Sequence, residues 1–128
     1  MKYLLDTHIL LWAAADHPKL SRTARDIISN PDNELMFSAA SIWEISIKSA
    51  QRRADFSVNA GQFRRALADN GYLELPITGQ HAAATANLPD IHKDPFDRML
   101  VAQSQTEGII LLSANSKVAA YGQTVLAV

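Results

Sequence analysis

Apolar residues fall along this chain in two kinds of block, and the spacing of the polar residues between them tells the two apart. Short apolar stretches bounded by turn residues, at positions 2–5, 34–37, 72–75, 109–112 and 124–128, read as strands. The segments between them carry apolar residues at helical spacing. A helix over 7–15 is stopped by His17-Pro18, because proline cannot continue the hydrogen-bond ladder. Ser21 caps a second helix through residue 29, and Asn30-Pro31-Asp32-Asn33 closes it. A third, AASIWEISIKSAQRR, begins at Ser38 and runs to 53 with Ile42, Trp43, Ile45 and Ile47 on its apolar side. Further helices are expected over 59–70, 78–88, 95–107 and 115–121, with Asn70-Gly71 and Gly122 as stops. Strands separated by helices require parallel crossovers, so the pattern predicts a three-layer α/β/α sandwich on a mainly parallel central sheet of about five strands. No repeat or linker divides the chain, and 1–128 reads as one domain.

Composition narrows the picture without redirecting it. The chain has 128 residues, enough for a core without staples, and a formal net charge of −1 from 12 basic and 13 acidic side chains. A nucleic-acid partner would therefore have to be held by a local patch rather than by the overall field. There is no cysteine, which removes disulfides, thiolate metal sites and a cysteine nucleophile. The first fifteen residues imitate a secretory leader, but Asp6 and His8 interrupt the apolar stretch such leaders keep uncharged. No run approaches the ~20 apolar residues needed to cross a bilayer. A cytoplasmic protein without membrane contact is the expectation.

Candidate chemistry lies where the strands end, since ligands of open parallel sheets bind outside the carboxyl ends of the strands. Asp6 follows the first strand, at the turn where the sheet edge should open to solvent. Glu44 lies two turns into the helix after the second strand. Asp94 and Asp97 bracket the start of the helix before the fourth strand, in HKDPFDR, and Asn115 lies just past that strand. Each has an ordinary local role. Asp6 can cap its helix, an interaction worth roughly 0.5–2 kcal/mol. Glu44 can close a capping box with Ser41 or pair with Lys48 at i+4, worth only about 0.2–0.5 kcal/mol, and the helical wheel places it beside the apolar sector rather than inside it. Asp94 before Pro95 is a good cap, Asp97 suits the first turn, and Asn115 can cap the helix after it. His8, His17, His81 and His92 show no ligand spacing and read as structural or solvated.

Caps need not converge, however, and three strand ends bring carboxylates to one edge. Clustered carboxylates repel and raise one another's pKa unless a cation neutralises them. Hard oxygen donors without cysteine or spaced histidine select Mg²⁺ or Mn²⁺ over Zn²⁺. The chemistry that fits is phosphodiester hydrolysis by metal-activated water.

The same residues carry a resemblance. LLDTHILLW, SAASIWEISIK, HKDPFDRMLVAQSQTEGIILLSAN and the closing AAYG together resemble PIN-domain proteins, more narrowly the VapC-type toxins of toxin–antitoxin pairs, over Tyr3 to Tyr121. The resemblance implies a Mg²⁺- or Mn²⁺-dependent endoribonuclease with RNA as substrate, a small VapB-like antitoxin as inhibitory partner, and a homodimer. Asp6, Glu44 and Asp97 match the family's acidic ligands. Asp94 is the additional acid of the HKDPFDR string, either a member of the site or only a cap. Thr7 and Ser38 stand as hydrogen-bonding support. Where the family often has Thr-x-Asp after the fourth strand, this chain has Ser113-Ala114-Asn115, which removes one negative charge and predicts at most one tightly held ion. Lys48, Arg52 and Arg53 on the Glu44 helix, with Arg64-Arg65 on the next, are the best stretch for RNA contacts, although a solvated basic face would look the same. Arg98 could balance the acidic cluster instead. The same Asn115 motivates a competing reading, a catalytically impaired PIN-like RNA-binding or scaffold module. A phospho-acceptor receiver domain shares the layout but expects an acidic pair after the first strand, where Asp6 stands alone.

Overall fold

A computed structural model of the chain describes residues 1–128, the side chain of Asp55 excepted. Five strands, β1 (Lys2–Leu5), β2 (Glu34–Ser38), β3 (Leu73–Leu75), β4 (Ile110–Ser113) and β5 (Val125–Ala127), form one sheet in the order β3-β2-β1-β4-β5. Every pairing is parallel, with Leu4 opposite both Met36 and Leu111. Seven α-helices connect them: α1 (Thr7–Ala15), α2 (Arg22–Ser29), α3 (Ala39–Ala50), α4 (Ala60–Asp69), α5 (Gly79–Ala84), α6 (Pro95–Glu107) and α7 (Ser116–Ala119). The α/β/α architecture is the one the alternation of patterns predicts.

Strand side chains alternate between two cores, as a period of two demands. Tyr3, Leu5 and Leu112 join Ile9, Leu10, Phe37, Ile45, Phe63 and Leu67 on one face of the sheet. Leu4 and Leu111 join Leu75, Leu100, Val101, Ala102 and Val118 on the other. A parallel strand covered on both faces has no position for a polar residue, which is why β1 and β4 are apolar nearly throughout.

Three expectations are corrected. The third helix stops at Ala50 rather than 53: Arg52 turns left-handed at φ 55°, and a short 3₁₀ turn at Ala54–Phe56 follows. Gln51, Arg52 and Arg53 offer nothing to bury, whereas Phe56 is fully buried, and the Ser49 hydroxyl ties down the carbonyls of Phe56 and, at 2.9 Å, Val58. Trp43, expected on the apolar side of α3, is 60% exposed. The expected helix over 78–88 ends at Ala84 and continues as a 3₁₀ turn at Thr85–Asn87. Elsewhere the differences are a residue or two; Ser38 closes β2 and caps α3 instead of opening the helix. Among the described residues, no helix is long and apolar enough to cross a membrane.

The strand order places the crevice. The connections leave β1 toward β2 and β3 on one side and return to β4 and β5 on the other, so the direction of winding reverses between β1 and β4. Ligands of open α/β sheets bind at the carboxyl ends of such a pair. Asp6 lies there, its N–H donating to the Leu112 carbonyl at 3.1 Å.

Candidate functional site

Local sequence explains how each acid reaches this edge. Asp6 is the cap of α1: its Oδ1 accepts from the Ile9 N–H at 2.9 Å. Asp94 caps α6 by accepting from the N–H groups of Phe96 (2.8 Å) and Asp97 (3.1 Å), with Pro95 at the first helical position. Asp97 then stands in the first turn of α6, and Asn115, capping α7 through the Lys117 N–H, stands just beyond β4. Asp6, Asp97 and Asn115 line one cleft of about 250 Å³ together with His8, Trp12 and Ala114.

Asp6 is not at an open edge, as its position in the sequence suggests, but only 6% exposed. Burial pushes its pKa up to about 6, held back by hydrogen bonds from the Ser113 side chain and the Ile9 N–H, and raised further by Asp97. Asp97 is pushed up in the same direction, first by burial and then by the charges of Asp94 and Glu44, against a bond from His92. A buried carboxylate, Asp6, and a half-buried one, Asp97, thus face one cleft, and Asp97 raises the cost of ionising Asp6.

Glu44 is placed differently from the helical-wheel expectation: it is 2% exposed. Its Oε1 accepts from the Thr7 hydroxyl at 2.6 Å, and its Oε2 pairs with Lys48 one turn on. The Thr7 hydroxyl also lies 2.9 Å from that of Ser41, another fully buried side chain. Ser38, wholly buried, accepts from the Ala40 N–H at 3.0 Å and fixes the start of α3. Thr7 therefore touches a site acid directly, and Ser38 holds the helix that carries one.

The basic candidates separate in the same way. Lys48 is turned inward onto Glu44, not outward on a basic face, while Arg52 and Arg53 are exposed. Arg64 is paired with Glu74. Arg98, expected as a balance to the acids, instead donates to the carbonyls of Pro89, His92 and Thr85 and to the Tyr121 hydroxyl. It shapes the loop before α6.

That loop holds what the spacing did not reveal. His92 Nε2 lies 2.8 Å from Asp97 Oδ2, and the His92 N–H donates to Tyr121 Oη at 3.0 Å. His92, Asp94 and Asp97 bring ligand atoms within 4.8 Å of one another, the one such group of three among the described residues. The expectation that all four histidines are structural or solvated does not anticipate the contact of His92 with Asp97. His81 is structural, buried and bonded through Nε2 to Glu107 at 2.8 Å. The missed signal was an imidazole five residues ahead of Asp97 with a capped helix start between, which folds back onto the first turn.

The donor set suits a hard cation. Asp6 and Asp97 offer carboxylate oxygens from two elements, both acids lack an ammonium or guanidinium partner among the described contacts, and ionising both is unfavourable without added positive charge.

Comparison with known proteins now bears on this geometry. The family model of the PIN domain matches residues 3–123. The chain belongs to the PIN domain family. Within that family it is similar to Ribonuclease VapC22 of Mycobacterium tuberculosis (strain ATCC 25618 / H37Rv), 29% identical over 115 residues that cover 89% of this chain and 87% of the relative. Its fold matches solved structures at low identity. VapBC2 from Rickettsia felis, bound to a DNA fragment from its promoter, aligns at TM-score 0.70 with 13% identity over 99% of this chain and 97% of that chain. VapBC-1 from nontypeable Haemophilus influenzae aligns at TM-score 0.64 with 21% identity, covering 94% and 92%. These likenesses show a shared fold over nearly the whole chain.

Proposed function

We propose that this PIN domain is a Mg²⁺- or Mn²⁺-dependent endoribonuclease and the toxin of a toxin–antitoxin pair, restrained by a small VapB-like antitoxin. The observation that carries the proposal is the pair of acids, buried Asp6 and half-buried Asp97, facing one cleft at the winding reversal of the sheet with no ammonium or guanidinium partner described for either. The relative named a ribonuclease, and the fold's likeness to VapBC chains, support the reading.

Asp6 and Asp97 would hold the ion, with Glu44 beside them and Asn115 at the rim. When bound, the ion would supply Lewis-acid activation of water and neutralise charge on the phosphate. The protein's part is positional. The cap bond from Ile9 and the bond from Ser113 orient Asp6, while His92 holds Oδ2 of Asp97. Thr7 and Lys48 fix Glu44, and Asp94 sets the first turn of α6 on which Asp97 stands. Arg52 and Arg53, exposed in the turn just past α3, would contact the RNA backbone.

The test is cleavage of RNA by the purified chain with Mn²⁺, with Mg²⁺ and with chelator, alongside Asp6→Ala and Asp97→Ala. Cleavage that requires the ion and both acids supports the reading, and growth arrest on expressing the chain alone supports the toxin assignment. Cleavage unchanged by chelator and by both variants would falsify the metal assignment. A second reading rests on Asn115, whose Oδ1 is engaged by the Lys117 N–H and which supplies no charge to the cleft. On that reading the chain binds RNA without cutting it, and retention with no products under any divalent ion would decide for it.

A further inference from the structure

Glu44 and its neighbours carry an inference that rests on the proposed metal site but concerns a different residue. A carboxylate that is 2% exposed must be paired or become neutral. Here both of its oxygens are engaged, Oε1 by the Thr7 hydroxyl at 2.6 Å and Oε2 by the Lys48 ammonium. The ammonium is itself confined. The Lys48 side chain is 15% exposed, and Nζ lies 4.8 Å from the ring centre of Phe56 and 5.8 Å from that of Phe96. Both distances fall within the range of cation–π attraction. Phe96 immediately precedes Asp97 and meets Trp43, the residue before Glu44, edge to face at 5.3 Å. The lysine is therefore close to two aromatic rings and paired with one acid of the site.

We propose that Lys48 is a resident cation of the site, which neutralises Glu44 and keeps it out of the direct ligand set of a divalent ion held by Asp6 and Asp97. The two kinds of acid then divide the work. Asp6 and Asp97 face one cleft with no ammonium or guanidinium partner among the described residues, whereas Glu44 already has the Lys48 ammonium and gives up a buried ion pair if it turns to the metal. Glu44 becomes available only when Lys48 leaves, and the anionic oxygen of an RNA phosphate is the acceptor that would draw it away. Lys48 is in this account a positioning residue acting through Glu44.

The experiment is Mn²⁺ titration calorimetry without RNA on the wild type, Lys48→Met, Glu44→Gln and the double variant. Methionine keeps an unbranched stem between the rings and removes the charge. Lys48→Met should bind Mn²⁺ about tenfold more tightly, or take up a second equivalent, in line with couplings between contacting residues. Glu44→Gln in the wild-type background, which leaves the Lys48 ammonium unbalanced, should weaken Mn²⁺ binding, and adding it to Lys48→Met should erase the gain. An isotherm for Lys48→Met identical to wild type overturns the proposal. A wild-type measurement covers the case in which Lys48→Met does not fold. The ¹⁵N signal of the Lys48 ammonium should stay protected from exchange through the first equivalent of Mg²⁺, and loss of protection in that equivalent also overturns it. If wild type, Asp6→Asn and Asp97→Asn all bind Mn²⁺ alike, the metal site itself is wrong, a different failure that the same titrations reveal.

Discussion

Asp6 and Glu44 are both nearly inaccessible carboxylates at one end of one sheet, yet their surroundings are opposite. Around Glu44 the fold supplies a hydroxyl and an ammonium, one for each oxygen. Around Asp6 it supplies a backbone N–H and the Ser113 side chain, and then adds a second acid, Asp97, on the far wall of the same cleft. The difference is that Glu44 meets an ammonium, whereas Asp97 meets the His92 imidazole and neither it nor Asp6 meets an ammonium or guanidinium among the described residues. A buried acid alone is therefore weak grounds for a metal ligand; the counter-charge around it discriminates.

The comparison breaks most visibly in catalysis. On the proposed function, Asp6→Ala or Asp97→Ala should lower Mn²⁺-dependent RNA cleavage by roughly 10³-fold or more, the scale of losing charge stabilisation at a reacting phosphate, measured in single-turnover assays. Next comes stability without metal. Lys48→Met should cost on the order of 3–5 kcal/mol, because it leaves Glu44 buried and unpaired, and Glu44→Gln added to it should recover most of that loss in urea titrations with chelator.

Asp6→Asn should act in the opposite sense. In the folded chain Asp6 keeps its proton up to about pH 6, whereas unfolded it loses it near its ordinary value of 3.8. The wild type should therefore lose metal-free stability as pH rises from about 4 to above 6. A difference of about two pH units corresponds to roughly 3 kcal/mol at most. Asparagine caps a helix as well as aspartate, so the variant should equal the wild type at pH 4 and exceed it at pH 7.5 in thermal melts. A variant that is less stable than wild type at pH 7.5 would mean that the cap bond outweighs the burial. The smallest effects lie behind Asp97. His92→Ala should weaken Mn²⁺ binding by about 10- to 100-fold, the range for a partner that orients a ligand, and Tyr121→Phe should cost about 1 kcal/mol in stability through the His92 backbone bond.

The parallel sheet and the helices at 7–15 and 95–107 were legible because strand and helix periods, caps and a Pro at the first helical turn all pointed the same way. The strand ends predict Asp6, Glu44, Asp94 and Asp97 at one edge; Asp6 and Asp97 line one cleft, and Glu44 and Asp94 are not among its lining residues. What escaped was set by contacts distant in sequence. The burial of Glu44 depends on Thr7, 37 residues away, and a helical wheel counts glutamate as polar wherever its partner lies. The inward turn of Lys48 needs Phe56 and Phe96, and the first of these is delivered by the 3₁₀ turn that the expected longer helix would have displaced. His92 escaped because its partner is reached through a folded-back loop rather than a helical spacing.

The pairing of β1 with β4 has a consequence for the order of assembly. Asp6 and Asp97 stand on segments from opposite ends of the chain, and the register Leu4↔Leu111 is what brings the first strand against the fourth. Contacts so far apart in sequence carry the largest loop-closure cost, so they are favoured to form after the local helices and the β1–β2 pair. During synthesis the cleft cannot exist until β4 has been made and has docked on β1. Whatever the cleft does is thereby withheld from an incomplete chain, by topology and without a separate inhibitor.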